Sequence, residues 1–167
     1  MDEIAPWELW IRSTALHRFI LDNYGLWPVA ESIHFIGLSL LIGTVGFFDL
    51  RVLGMAKSIP PYALHRLIPF GIAGYLMNLM TGIWFFFAFP EQYAYNRAFH
   101  FKLAFMTLAA VNVALFYSAA FREVRHMGPG EDAPLKARIF TGISLAAWLG
   151  VLICGRLLTF FRPPFFH

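Results

Sequence analysis

Residues 67–90 read LIPFGIAGYLMNLMTGIWFFFAFP, a stretch without one charged side chain. At 1.5 Å per residue, a helix of about 20 apolar residues crosses the hydrocarbon layer, so this stretch predicts a membrane span. Three further apolar runs accompany it, at 32–48, 103–121 and 139–155, the last continuing past Arg156 to 161. Backbone groups left unpaired cannot face lipid, and nothing alternates with period two over segments of about ten residues, so helices are expected rather than a barrel. Only 14% of the 167 residues are charged and 59% are hydrophobic, against roughly 25% charged in water-soluble domains. The expected fold is all-α: an integral membrane four-helix bundle forming one domain over 1–167, with spans near 29–50, 66–89, 98–121 and 138–161.

Ahead of the first span, residues 5–21 (APWELWIRSTALHRFIL) carry Glu8, Arg12, His17 and Arg18, which leave no apolar run long enough to cross. Pro6 suits a first helical turn and Trp7 and Trp10 suit a membrane interface, so a single N-terminal interfacial helix is expected here. Residues 1–4 are acidic and lack a basic n-region, which argues against a signal peptide. Arg51, Lys57, Arg66, Arg122, Arg125, Lys136 and Arg138 follow spans one and three, while Arg12, Arg18, Arg97 and Arg162 lie on the other side, with Lys102 and Arg156 read as embedded. That asymmetry predicts a multi-pass membrane protein with both termini periplasmic. The net charge of +3 comes mainly from these flanking residues, so no nucleic-acid partner is expected. The one cysteine, Cys154, lies among apolar residues of the fourth span and reads as packing. The pair Pro60-Pro61 and the stretch MGPGEDAP at 127–134 mark turns between spans.

Ionisable groups inside a membrane are costly and point to function. On this topology Glu31 and His34 lie one turn apart near the outer end of the first span, His100 and Lys102 open the third, and Arg156 approaches the outer end of the fourth. Two histidines on different helices can supply both axial ligands of a haem iron, and bundle interiors commonly house such cofactors. His34 and His100 are therefore the candidate metal ligands. Lys102 and Arg156 are candidate partners for the anionic propionates, and Gly37 is a candidate for the room a porphyrin needs. Glu31 completes the candidate cofactor-binding set. Methionines at 77, 80 and 106 offer copper(I) as an alternative, and a second haem at His65 and His126 is disfavoured because the two differ in depth. Asn78, Thr81 and Asn112 are expected to form hydrogen bonds between helices. No phosphate loop, Ser/His/Asp arrangement, CxxC or paired-carboxylate motif appears, so a non-catalytic subunit is expected rather than an enzyme.

The stretches at 31–54 (ESIHFIGLSLLIGTVGFFDLRVLG), 65–82 (HRLIPFGIAGYLMNLMTG), 96–116 (NRAFHFKLAFMTLAAVNVALF) and 148–157 (WLGVLICGRL) resemble a largely uncharacterised family of small bacterial four-helix inner-membrane proteins. That family is distantly similar to copper-resistance D-type proteins and to b-type cytochrome membrane subunits. The resemblance singles out Glu31, His34, Gly37, Asp49, Arg51, Thr81, Gly82, Asn96, Lys102, Asn112, Gly155 and Arg156. Tyr117 stands where family members often carry histidine, so no role for that histidine carries over, and His100 lies outside the family pattern. Taken together, these features predict an electron-transfer subunit that binds haem b near the periplasmic face. It would relay electrons between quinone, or a partner subunit of a larger redox complex, and a periplasmic redox protein. A copper-handling protein and a cofactor-free anchor or assembly subunit are the alternatives.

Overall fold

The computed structural model describes residues 4–161; Arg162 and His167 lie outside that range, as do residues 1–3. Among the described residues the chain is helical without strands. Its helices are α1 (Pro6–Ser13), α2 (Ala15–Asp22), α3 (Trp27–Val52), α4 (Pro61–His65), α5 (Ile68–Ala88), α6 (Pro90–Ala94), α7 (Arg97–Ala119), α8 (Phe121–Arg125) and α9 (Leu135–Leu157). Four of them, α3, α5, α7 and α9, are long and apolar enough to cross a membrane. The protein is an all-α, multi-pass membrane bundle whose outer faces are apolar and contact lipid.

The bundle is two tight pairs joined along one seam. Helices α3 and α5 form one pair, α7 and α9 the other, and α3 rests on α9, whereas α5 and α7 scarcely meet. Glycine sets the first pair. A Cβ on Gly37 would stand 2.6 Å from the Asn78 amide nitrogen and 2.7 Å from the Gly74 carbonyl oxygen, and a Cβ on Gly74 would collide with the Gly37 carbonyl oxygen. Backbones approach this closely in lipid only where small residues face each other, because dispersion replaces the missing hydrophobic drive. In the second pair, a Cβ on Gly150 would lie 2.7 Å from the Phe105 ring. Helix α9 turns a stripe of small residues inward, with Ala137, Thr141, Ser144, Ala147, Gly150 and Cys154 all buried. Cys154 is thus a packing residue with a free, buried thiol.

At the end of the bundle nearest the N-terminus, the expected single helix over 5–21 is broken. Thr14 leaves helical geometry and its hydroxyl accepts from the His17 amide at 3.2 Å, which caps α2 and separates it from α1. His17 then bonds the Phe87 carbonyl through Nδ1 at 2.7 Å, and Arg12 pairs with Glu91 at 3.2 Å, so both short helices lie across the ends of α5 and α6. Trp27 packs against Phe85 and Phe89 at ring separations of 4.8 and 5.6 Å, as in an interfacial aromatic belt. Asn96 caps α7 by accepting from the Ala98 amide, and its own amide donates to the Leu158 carbonyl at 3.0 Å, tying α7 to the end of α9.

The opposite end of the bundle is closed by Arg51. Counted above among the loop cations, it belongs to α3 and is 1% exposed. Its guanidinium donates to the carbonyl oxygens of Ile59, Lys57, Gly128 and Glu131. One side chain therefore clamps the loop after α3 to the loop before α9. Two further contacts hold the same loops: the Gly130 amide donates to the Lys57 carbonyl at 2.8 Å, and Lys57 pairs with Asp132 at 2.7 Å. Below the clamp sits an apolar core of Phe48, Val52, Phe116, Val124 and Ala137 with their neighbours.

Candidate functional site

His34 projects from α3 into the α3–α5 seam, with its ring 5.6 Å from Phe85. Its Nδ1 lies 2.7 Å from the Thr81 hydroxyl oxygen. Thr81 has one hydroxyl proton, and the helical carbonyl of Met77 stands 2.7 Å away to accept it. The hydroxyl oxygen then serves as acceptor, so His34 donates through Nδ1–H and keeps the lone pair on Nε2. A ring fixed through one nitrogen with the other left basic is the usual state of a metal-ligating histidine.

Lys102 of α7 is the second polar group in this layer. Its ammonium stands beside Gly155 of α9, 4.0 Å from the position a Cβ would take there, and its positive charge is felt at the His34 ring. No carboxylate pairs with it among the described residues. Glu31 is exposed and faces Tyr93 in the short connection between α5 and α7. Burial, and then the Glu31 carboxylate, push the Tyr93 phenol up to about 12.

The remaining candidates stand apart. His100 is exposed on α7 and bonds the Ala94 carbonyl through Nε2 at 2.8 Å, so it is occupied with holding α6 to α7. Arg156 is exposed, with its guanidinium carbon 5.6 Å from the centre of the Phe160 ring. Gly37 leaves no free space, since α5 fills it. The structure thus brings His34 and Lys102 into one layer and sets His100 and Arg156 outside it.

The three methionines diverge. Met80 is 72% exposed on the outer face of α5, and Met106 lines a cavity deeper in the bundle. His65 and His126 do not converge either: His65 bonds the Tyr117 hydroxyl at 2.9 Å and packs against the Phe121 ring, while His126 is exposed beyond α8. Of the three expected polar bridges, Thr81 and Asn112 do join helices, Asn112 donating to the Phe140 carbonyl at 3.0 Å. Asn78 instead donates to Gly74 within its own helix at 3.0 Å. Among the described residues, no three histidine, cysteine or carboxylate side chains gather as a metal cluster.

The residue missed as a site is Asp49. It is 3% exposed, and its Oδ2 accepts no hydrogen bond. It lines a cavity of about 420 Å³ enclosed by α3, α5, α7 and α9, with Ser144 of α9 facing the carboxyl. The resemblance includes Asp49, and a carboxylate immediately following an apolar run was the only other signal.

No protein-family model, curated protein or solved structure matches the chain.

Proposed function

We propose that the protein is a membrane electron-transfer subunit of the bacterial inner membrane, with both termini periplasmic, that holds a b-type haem by His34. The observation that carries this reading is the bond from His34 to Thr81, which fixes the imidazole and leaves the Nε2 lone pair without a partner inside a membrane span. Histidine in such a place is expensive unless it serves a ligand. Lys102 would pair with a propionate carboxylate, an interaction that also relieves its own lack of a counter-ion. Thr81 keeps the ring from rotating. His100 serves as second ligand only by giving up its bond to the Ala94 carbonyl, and a histidine from a partner subunit meets the same need. Bound haem supplies reversible one-electron transfer. The physiological partners of this reading are a larger redox complex or a periplasmic redox protein on one side and a quinone on the other.

Absorption spectra of the purified protein, oxidised and dithionite-reduced, test it. His34→Ala should abolish the reduced b-type bands, Thr81→Val should shift the reduction potential while keeping them, and His100→Ala should weaken or spare them according to the source of the second ligand. A haem-replete wild-type preparation without b-type bands overturns the reading. Impermeant labelling of a cysteine at position 130, in a Cys154→Ser background, checks the orientation; labelling from the periplasmic side reverses it.

A further inference from the structure

The cavity beside Asp49 lies in the opposite half of the membrane from His34: fifteen residues of α3 separate them, a rise of about 22 Å. Three properties define what it can hold. First, its entrance. Helices α5 and α7 hardly touch, and Ile72 and Val113 at the two lips are 56% and 45% exposed, so the cavity opens sideways to lipid rather than to water. Second, its walls. Phe48, Tyr75, Phe116, Tyr117, Phe140 and Trp148 surround it with aromatic faces, which favour a planar ring. Third, its single strong acceptor. The Ser144 hydroxyl faces the carboxyl, yet Asp49 Oδ2 is shut away from water and receives no hydrogen bond, a state that costs free energy until something donates to it. Arg51, two residues along, cannot be that donor, because positions i and i+2 face different sides of a helix and its guanidinium is occupied by four loop carbonyls. The volume, about 420 Å³, falls within the roughly 300–1,000 Å³ of small-molecule sites.

We infer that this cavity binds the head group of a lipid-soluble hydroquinone, which enters between α5 and α7 and donates a phenolic O–H to Asp49. A hydroquinone meets all three requirements: it arrives through lipid, presents a flat ring to the aromatic walls and carries neutral O–H donors. An acyl chain has no donor for Oδ2, and a charged head group would have to leave water to reach it. The choice of a redox-active head rests on the electron-transfer reading above, while the binding itself requires no haem.

Trp148 in the cavity wall provides the probe, because bound benzoquinone quenches indole fluorescence. The purified full-length protein in lipid nanodiscs is titrated with a short-tailed benzoquinone, and the dithionite-reduced form is then used as competitor. Saturable quenching that disappears in Trp148→Phe is expected. Ala110→Phe, on the exposed α7 wall of the cavity, should block it, and Asp49→Leu should weaken the reduced competitor at least tenfold. Quenching that rises linearly and equally in all variants, as for simple partition into lipid, overturns the inference. The haem spectrum of the same samples separates the two proposals. Saturable quenching without haem leaves this site standing and removes the electron-transfer reading; haem with only linear quenching removes this site alone.

Discussion

Replacing Arg51 tests the clamp between the loop after α3 and the loop before α9. In Arg51→Leu the four carbonyl oxygens of Ile59, Lys57, Gly128 and Glu131 lose their donor. The Nε bond to Ile59 is short, and a hydrogen bond from a charged group contributes about 1.5–3 kcal/mol. The other bonds, at 3.3–3.4 Å, are long, and about 0.5 kcal/mol each is a fair share for them. The total is about 3–5 kcal/mol, but these loops sit at a water-facing end, and once they separate water replaces part of the lost bonding. The lower end, about 3 kcal/mol, is therefore expected, or about 6–12 °C in Tm for a chain of this size. Arg51→Lys should recover less than half, since an ammonium cannot span acceptors from two loops as a planar fork does. Thermal unfolding in detergent measures the loss. Limited trypsin digestion locates it, because cleavage after Lys57, Arg125 and Lys136 should accelerate together when the two loops part. A Tm within about 2 °C of wild type with unchanged digestion would refute the clamp.

Gly74→Ala should cost about 1–3 kcal/mol, because the added Cβ meets backbone atoms of Gly37 and Leu41 that cannot rotate away. Gly43→Ala, where nothing lies within 4 Å, should be neutral or slightly stabilising in the same unfolding assay. The Lys57–Asp132 pair predicts an acid response. The hydrogen bond and charge of Lys57 hold the Asp132 carboxyl below its ordinary value of 3.8, so its contribution is complete above that value and is lost as pH falls through the depressed one. The protection of amides at 126–134, taken relative to their intrinsic exchange rate at each pH, should therefore fall as the pH drops below 3.8, and Asp132→Asn should remove that step.

How much of this was legible in the sequence follows from the kind of force at each place. Spans depend on uninterrupted apolarity, and the runs at 67–90 and 103–121 carry it openly, so the four-helix bundle could be read directly. The break at Thr14 rests on one local cap, with the hydroxyl choosing a turn over continued helix, and an amphipathic stretch containing threonine reads equally well as one helix. Convergence of polar residues was harder still. Depth along the membrane can be counted from sequence, and it places His34, His100, Lys102 and Arg156 in one layer. Direction around each helix axis cannot be counted the same way when every face is apolar. His34 and Lys102 point inward whereas His100 and Arg156 point outward, because Gly37 against Gly74 and Gly150 against Phe105 fix how each helix is rotated. The same rotation explains Asp49 and Arg51. Arg51 reads as a loop cation beyond the first span, yet α3 runs to Val52, and its turn sends the arginine to the loops and the carboxylate to the cavity. Depth thus suggested a site at the outer end, and helix rotation, set by a few glycines, divides the polar groups between His34 above and Asp49 below.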